Sequence, residues 1–302
     1  MTTLPEVRIG EPIRQQALSV FPLYSEPGST VEYLLADEAI GSGSVAVEEV
    51  DEGGSVPDLL VRNTSESRVL FLEGEELWGA KQNRVLNTSV LIAAHGTTKI
   101  PVSCVEQGRW RYLSRQFSHS GSHSSSKLRA MLKASVARSV KAERGHRSDQ
   151  GGVWREVSRQ SASLGTSSET GAMADTYEHY RERLEEFRQG LKYVEGATGL
   201  AVAVGQQIVS IDLFDRPETC RKVWDRLLSG MVMDALEAEQ PEKCAEVADV
   251  EALLGRLRGS SWEPSPAVGE GREYRSEVDE RTHGSTLVCD GSVLHGSVVV
   301  AS

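Results

Sequence analysis

The chain of 302 residues is 39% hydrophobic and 25% charged, with a formal net charge of −11. That length supports one large or two ordinary domains with real cores, and the acidic surplus argues against general nucleic-acid binding by the whole surface. No apolar run approaches the roughly 20 residues of a membrane helix, and residues 1–16 lack the apolar stretch of a signal peptide, so a cytoplasmic location is expected.

In chain order, residues 16–50 read as strands, ALSVFPLY, TVEYLLADEAI and SVAVEEV, with a turn at Glu26-Pro27-Gly28; residues 56–63 add another. The stretch from Arg68 to Arg111 adds three strand-like runs, Arg68 to Glu76, Asn83 to Ala93 and Thr98 to Glu106, broken at Gly79 and at His95-Gly96. Residues 1–112 thus form a mainly β unit whose strand spacing suggests an antiparallel sandwich or jelly roll. Side chains alternate faces along a strand, so Val69, Phe71, Glu73 and Glu75 share one face, Val85, Asn87, Ser89 and Leu91 another, and Val102, Cys104 and Glu106 a third. If those faces meet, Glu73, Glu75, Asn87, Ser89, Cys104 and Glu106 converge on one polar patch in an apolar wall, as a small-molecule site requires. The loop Trp78-Gly79-Ala80-Lys81-Gln82-Asn83-Arg84 adds an aromatic ring, cations and amides suited to phosphate contacts and base stacking, and Gln107 and Arg109 join the set. The plainer reading makes the glutamates solvated edge charges and the Asn and Ser partners of turn backbone.

From Ser114 to Ser126 a Ser/Gly/His-rich loop is expected, and the Gly and Ser between His119 and His123 argue against a metal-binding helix. Helices follow at Lys127 to Ala142 and Val153 to Leu164. In Ala172 to Val194 the residues Met173, Tyr177, Tyr180, Leu184, Phe187, Leu191 and Val194 mark one narrow seam of a long helix. That seam packs on the preceding helices in the first reading and makes a homo-oligomer contact in the second. Residues 109–159 hold 12 Lys/Arg against 3 Asp/Glu, a basic block for docking on the acidic remainder or on another copy.

Residues 197–302 begin with a hairpin, Leu200 to Val204 and Gln207 to Leu213. A helix capped by Asp215 with Pro217 early follows, its apolar face made by Cys220, Val223, Trp224, Leu227, Leu228, Met231 and Leu236. Another helix spans Pro241 to Leu257, and a closing hairpin turns at Asp290-Gly291 with His295 on its last strand. The fold class expected is α+β, with N- and C-terminal strands forming the β unit around a central helical insertion at 113–196. The four cysteines, Cys104, Cys220, Cys244 and Cys289, form no CxxC pair and read as reduced thiols.

No GxSxG, HExxH, P-loop or GxGxxG motif is present. Two chemistries remain for the patch. Cys104 could act as a nucleophile, with only His95 near in sequence to serve as base. Glu73, Glu75 and Glu106 could divide acid and base roles, or hold Mg²⁺ or Ca²⁺ beside a diphosphate whose charge Lys81, Arg84 and Arg109 would neutralise. The runs FLEGEELWGAKQNRVLNTSVLI and TKIPVSCVEQGRW resemble the signature of the ADP-ribosylglycohydrolase and Rhodanese-Phosphatase-superfamily-associated protein domain family, and AVAVGQQIVSIDLFDRPETCRKVWDRLLSGMVMDAL is similar to its second block. The resemblance implies a link to NAD-derived or ADP-ribose nucleotide metabolism and brings no established activity. Three expectations follow: an enzyme hydrolysing or transferring an ADP-ribose-like nucleotide with Glu73 and Glu106 first among its acid/base groups; a non-catalytic nucleotide-binding sensor or oligomeric assembly module; or an interaction protein with no small ligand.

Overall fold

The computed structural model describes residues 4–26 and 28–301; Pro27, at the centre of the turn expected at 26–28, lies outside the described residues. Strands β1 (Arg8–Ile9), β2 (Ile13–Gln15), β3 (Leu18–Tyr24) and β4 (Tyr33–Leu35) lead into the short helix α1 (Ala36–Gly41). Then come β5 (Val45–Glu49), β6 (Asp58–Asn63), β7 (Arg68–Phe71), β8 (Glu75–Gly79), β9 (Arg84–Leu86), β10 (Val90–Ile92), β11 (Thr97–Cys104) and β12 (Phe117–His123). Helices α2 (Ser126–Lys141), α3 (Gln150–Ser163), α4 (Met173–His179) and α5 (Arg181–Gly190) precede the hairpin of β13 (Gly199–Val204) and β14 (Gln207–Phe214). The chain closes with α6 (Pro217–Glu237), α7 (Val247–Gly259), β15 (Glu263–Ser265), β16 (Arg272–Glu277), β17 (Thr282–Cys289) and β18 (Ser292–Val300). None of these helices is long and apolar enough to cross a membrane.

A nine-stranded antiparallel sheet runs β1-β3-β13-β14-β18-β17-β16-β15, with β2 also on β3, so the two ends of the chain share one sheet. A six-stranded sheet, β12-β8-β9-β11-β6-β5, curls into a half-barrel. Gln116, just before β12, donates to Glu48 on β5 across 3.1 Å at its gap. Inside it pack Val47, Leu59, Val61, Leu77, Leu86, Ile100 and Phe117. The third sheet, β10-β7-β4, includes a parallel pair, β4 on β7. The class is therefore α+β, with several antiparallel sheets and seven helices among the described residues. A nine-stranded sheet and a half-barrel stand where strand spacing suggested a sandwich or jelly roll.

Three local differences from the sequence reading decide where the polar residues go. The run from Arg68 to Glu76 breaks at Leu72–Gly74, with Gly74 at φ 81°, and its halves β7 and β8 belong to different sheets. The run from Asn83 to Ala93 breaks at Asn87–Ser89 in the same way. The Ser/Gly/His loop is instead strand β12, because pairing with β8 supplies the hydrogen bonds that its weak β propensity does not.

The seam at 172–194 is two helices that meet at Tyr180, and Met173, Tyr177, Phe187 and Leu191 are buried in the chain's own cores. Helix α6 starts at Pro217 with Arg216 as N-cap; Asp215, expected as the cap, instead accepts from Tyr33 Oη and Arg216. Its apolar face is buried as the periodicity predicts, and Asp290 and Gly291 both take positive φ (48° and 81°) in the closing hairpin.

Trp224 on α6 is fully buried in the largest core, its Nε1 donating to Leu191 O at 2.7 Å and its ring edge-on to Tyr193 at 5.5 Å. Trp224→Ala opens a cavity and orphans that carbonyl, and is expected to lower the unfolding free energy by about 3–5 kcal/mol in urea titrations.

Candidate functional site

The break at Gly74 turns Glu73 inward, where it is 5% exposed. Its carboxylate accepts from Lys133 Nζ at 2.7 Å, Ser285 Oγ at 3.0 Å and Ser297 Oγ at 2.6 Å, with Arg129 3.6 Å away. Arg129 grips Asp212 of β14 through two nitrogens, at 2.5 and 2.9 Å, and His295 of β18 spans Asp212 (3.3 Å) and Ser89 Oγ (2.7 Å). Ser89 Oγ also accepts the Glu73 backbone N–H at 3.0 Å. Burial alone would raise these carboxyls, but Lys133 and Arg129 hold Glu73, and Arg129 and His295 hold Asp212, far below the usual range. Burial in turn pushes the Lys133 ammonium down to about 8. Beside this network Glu273 accepts from Arg275 (2.5 Å), Thr88 (2.9 Å) and His146 (3.0 Å), and Asn87 Nδ2 donates to His146 O at 2.9 Å. The void between Glu73, Asn87, Arg129 and Lys133 has about 10 Å³ of open space, room for about one water.

A second cluster lies at the end of β11. Arg109 meets both oxygens of Glu106, at 2.8 and 2.5 Å, and Glu106 also accepts from Asn83 N (3.1 Å) and Thr170 Oγ1 (2.8 Å). Against the effect of burial, Arg109 above all holds the Glu106 carboxyl below its ordinary value. Arg84 is fully buried; its Nη1 donates to Gln82 O at 3.0 Å, while Nε and Nη2 have no hydrogen-bond partner and Glu49 stands 3.8 Å away. Cys104 Sγ donates to Gln82 Oε1 at 3.0 Å, and burial pushes its thiol up, so the thiolate is disfavoured. His95 pairs with Glu66 at the surface, 2.9 Å apart. Gln82 Nε2 donates to the carbonyl of Gln107 at 3.4 Å, and Lys81 Nζ to the carbonyls of Glu52 (2.5 Å) and Gly53 (2.7 Å). Trp78 is exposed.

The third cluster underlies a cleft. β12 pairs with β8 as His119 to Leu77 and then His123 to Glu75, so Ser120–Ser122 stand opposite Glu76 alone. This bulge, with Gly121 at φ 79°, is pushed into a cleft of about 680 Å³ walled by α1, α5 and α6. Glu75, fully buried beneath it, lies 3.0 Å from Arg226 and 3.5 Å from His119 and accepts Leu72 N–H at 3.0 Å. Despite burial, Arg226 and then His119 hold its carboxyl at about 2. Arg226 also pairs with Asp37 at 2.6 Å, so it is fixed from two sides. His119 Nδ1 accepts from Gly121 N–H at 3.0 Å, which places the neutral ring's proton on Nε2, toward Glu75. At the rim Arg181, Arg188 and Lys222 pair with Glu178 (3.1 Å), Asp225 (2.6 Å) and Glu38 (2.5 Å), and all three cations are exposed. Leu184, Leu228 and Val232 supply apolar lining.

A family model, that of the ARG and Rhodanese-Phosphatase-superfamily-associated Protein domain (ARPP-1), matches residues 6–299. The chain belongs to the ARPP-1 family. No curated protein and no solved structure matches it. Membership in ARPP-1 brings no substrate with it.

In this ARPP-1 chain the six residues expected on one patch divide among three clusters. Glu73, Ser89 and Asn87 belong to the first, Cys104 and Glu106 to the second, and Glu75 lies under the cleft. The two breaks reset the alternation on which convergence rested, so continuity of face holds only within each short strand. Gln82, Asn83, Arg84 and Arg109 join Cys104 and Glu106, whereas Lys81 turns to the 52–53 carbonyls. Sequence reasoning missed Arg129, Lys133, His119 and Arg226. A signal existed for the first two: cations four apart on a helix share a face, and Asp212 interrupts an apolar strand.

Glu76, beside Glu75 but on the opposite face, is fully buried with neither carboxylate oxygen in hydrogen-bonding geometry, and burial above all pushes it up to about 8, Ser120 pulling it down and Glu106 adding to the rise. Two opposite pH effects follow. Glu75 and Glu273, each held at about 2 against an ordinary value of 4.5, contribute stability that is full above 4.5 and lost as pH falls toward 2. Glu76 keeps its proton when folded up to about 8 but loses it near 4.5 when unfolded, so it costs stability progressively between those values. Glu76→Gln is therefore expected to raise the melting temperature at pH 8 and to do little at pH 4.5. Asp212→Asn, which strands Arg129, should cost about 3–5 kcal/mol at pH 7 in chemical denaturation.

Proposed function

We propose that the chain is a binding module for a small anionic ligand seated in the cleft between the Ser120–Ser122 bulge and helices α5 and α6. An ADP-ribose-like or other NAD-derived nucleotide is the ligand class to try first. One observation carries this reading: a cleft of about 680 Å³ sets one immobilised guanidinium, Arg226, beside three rim cations, serine hydroxyls and an apolar lining, with four cations in the lining against the three carboxylates of Asp37, Glu185 and Asp225. Exposed ion pairs are worth about 0–1 kcal/mol, so Arg181, Arg188 and Lys222 can leave their carboxylates for a ligand at small cost. Arg226 is held in place by Glu75 and Asp37, which already answer its charge, so the exposed rim cations supply most of the attraction for the ligand.

The same geometry favours a sensor over a hydrolase. Acid/base work by Glu73 and Glu106 would require both to leave closed sets of charge-assisted hydrogen bonds, and Cys104 has no base beside it. Among the described residues no group of three or more His, Cys, Asp or Glu side chains is placed to hold a metal ion, so Mg²⁺ would arrive with a diphosphate ligand.

A thermal-shift and calorimetric panel of ADP-ribose, NAD, ADP, pyrophosphate and phosphate tests the proposal on the parent chain and on Arg188→Ala/Lys222→Ala. Stabilisation by at least one nucleotide is expected, with binding at least tenfold weaker in the variant and the ligand recovered unchanged. Turnover of the bound nucleotide would restore the hydrolase reading. Absence of any shift at ligand concentrations that saturate ordinary nucleotide sites would remove the cleft as a site.

A further inference from the structure

Among the described residues, the large apolar side chains left exposed are Trp78 (47%), Trp110 (47%), Tyr112 (48%) and Leu113 (52%). They come from two segments that run side by side: Leu113 N donates to Ala80 O at 3.0 Å, Ala80 N to Ser114 Oγ at 3.0 Å, and Arg109 Nη2 to Gly79 O at 3.3 Å. Their exposed faces together amount to on the order of 300–400 Å², within the range of the largest apolar patch on an ordinary monomer, which is often functional.

The patch is rigid. Lys81, anchored on the Glu52 and Gly53 carbonyls, holds its ammonium 5.3 Å from the Trp110 ring and 5.1 Å from the Tyr112 ring. Arg84 lies over Trp110 at 5.8 Å, and a side chain on Gly54 would come within 3.2 Å of that indole. Aromatic groups already fixed lose little entropy when covered. Trp110-Arg111-Tyr112 also brings together the three residue types that dominate binding energy at protein interfaces.

Its rim carries both signs. Arg111 and Arg115 are exposed, as are Asp51 and Glu52, and Tyr112 lies in the field of Glu52, Asp51 and Arg115 together. Those carboxylates would repel the phosphates of a nucleic acid, whereas a mixed rim around an apolar centre complements itself under a two-fold rotation. We propose that this patch is the face of an isologous homodimer centred on Trp110, in which Arg111 and Arg115 of each copy meet Asp51 and Glu52 of the other. The proposal does not depend on the ligand assigned to the cleft.

Sedimentation equilibrium from micromolar to submillimolar concentration measures the association. The parent chain is expected at twice 32.9 kDa, and Trp110→Ser/Leu113→Ser to associate at least tenfold more weakly with the circular dichroism spectrum of the folded parent. Arg111→Glu/Arg115→Glu and Asp51→Lys/Glu52→Lys should each be monomeric alone and form a mixed dimer when combined, since only the mixture has every rim contact attractive. A parent chain that is monomeric throughout, a dimer that survives the Trp110→Ser/Leu113→Ser change, or charge variants that fail to pair when mixed would each overturn the proposal.

Discussion

The ion network of Glu73, Lys133, Arg129 and Asp212 is the constraint on which the rest of the structure depends. A carboxylate in a protein interior is tolerable only if cations and donors replace the water it has lost. Helix α2 supplies both cations from positions four apart, one turn of the helix, so a single face answers a carboxylate in the break between β7 and β8 and another on the nine-stranded sheet. That requirement fixes α2 across the seam between the half-barrel and the nine-stranded sheet. The hydroxyls of Ser285 and Ser297 and the ring of His295 then tie β17 and β18 to the same point. The network is neutral in sum and nearly without space, which suits it to holding sheets together rather than receiving a substrate.

The cleft is built on a different electrostatic plan. Around Glu73 every charged group faces inward to another; around Glu75 the charges are graded from a fixed pair at the base to loosely paired cations at the rim. Neighbouring residues on β8 show how strongly placement governs charge: Glu75, facing Arg226, stays ionised, while Glu76, one position on, faces carboxylates and amides and keeps its proton. The side-chain bulk of the two is the same, so the difference comes entirely from which face of the strand each occupies.

Much of the fold was legible because its signals are local. The periodicity of α6, the Asp-Gly turn of the last hairpin and the Gly205-Gln206 hairpin each need only nearby residues. The break at Leu72–Gly74 had one local mark, Gly74 inside a strand-like run, but nothing nearby in the sequence says that the two halves join different sheets. For the site, Glu73 was marked from its place among apolar residues, but its partners stand 60 residues away at Lys133, 212 at Ser285 and 224 at Ser297. Distances of that kind are set by tertiary packing. Strand β12 illustrates the same limit: Ser, Gly and His favour a loop, and only the waiting edge of β8 makes a strand of them.

The sharing of one sheet by the two ends of the chain bears on the order in which the protein can assemble. Strands β1 and β2 find β3 close by in sequence, but the other side of β3 pairs with β13, and Ser25 bonds to Thr198, 173 residues later. During synthesis that side of β3 must therefore wait, unpaired, while the half-barrel and α2 to α5 emerge. Closing so long a loop before any contact repays it makes for slow folding, and apolar strands held open that long are natural substrates for chaperones.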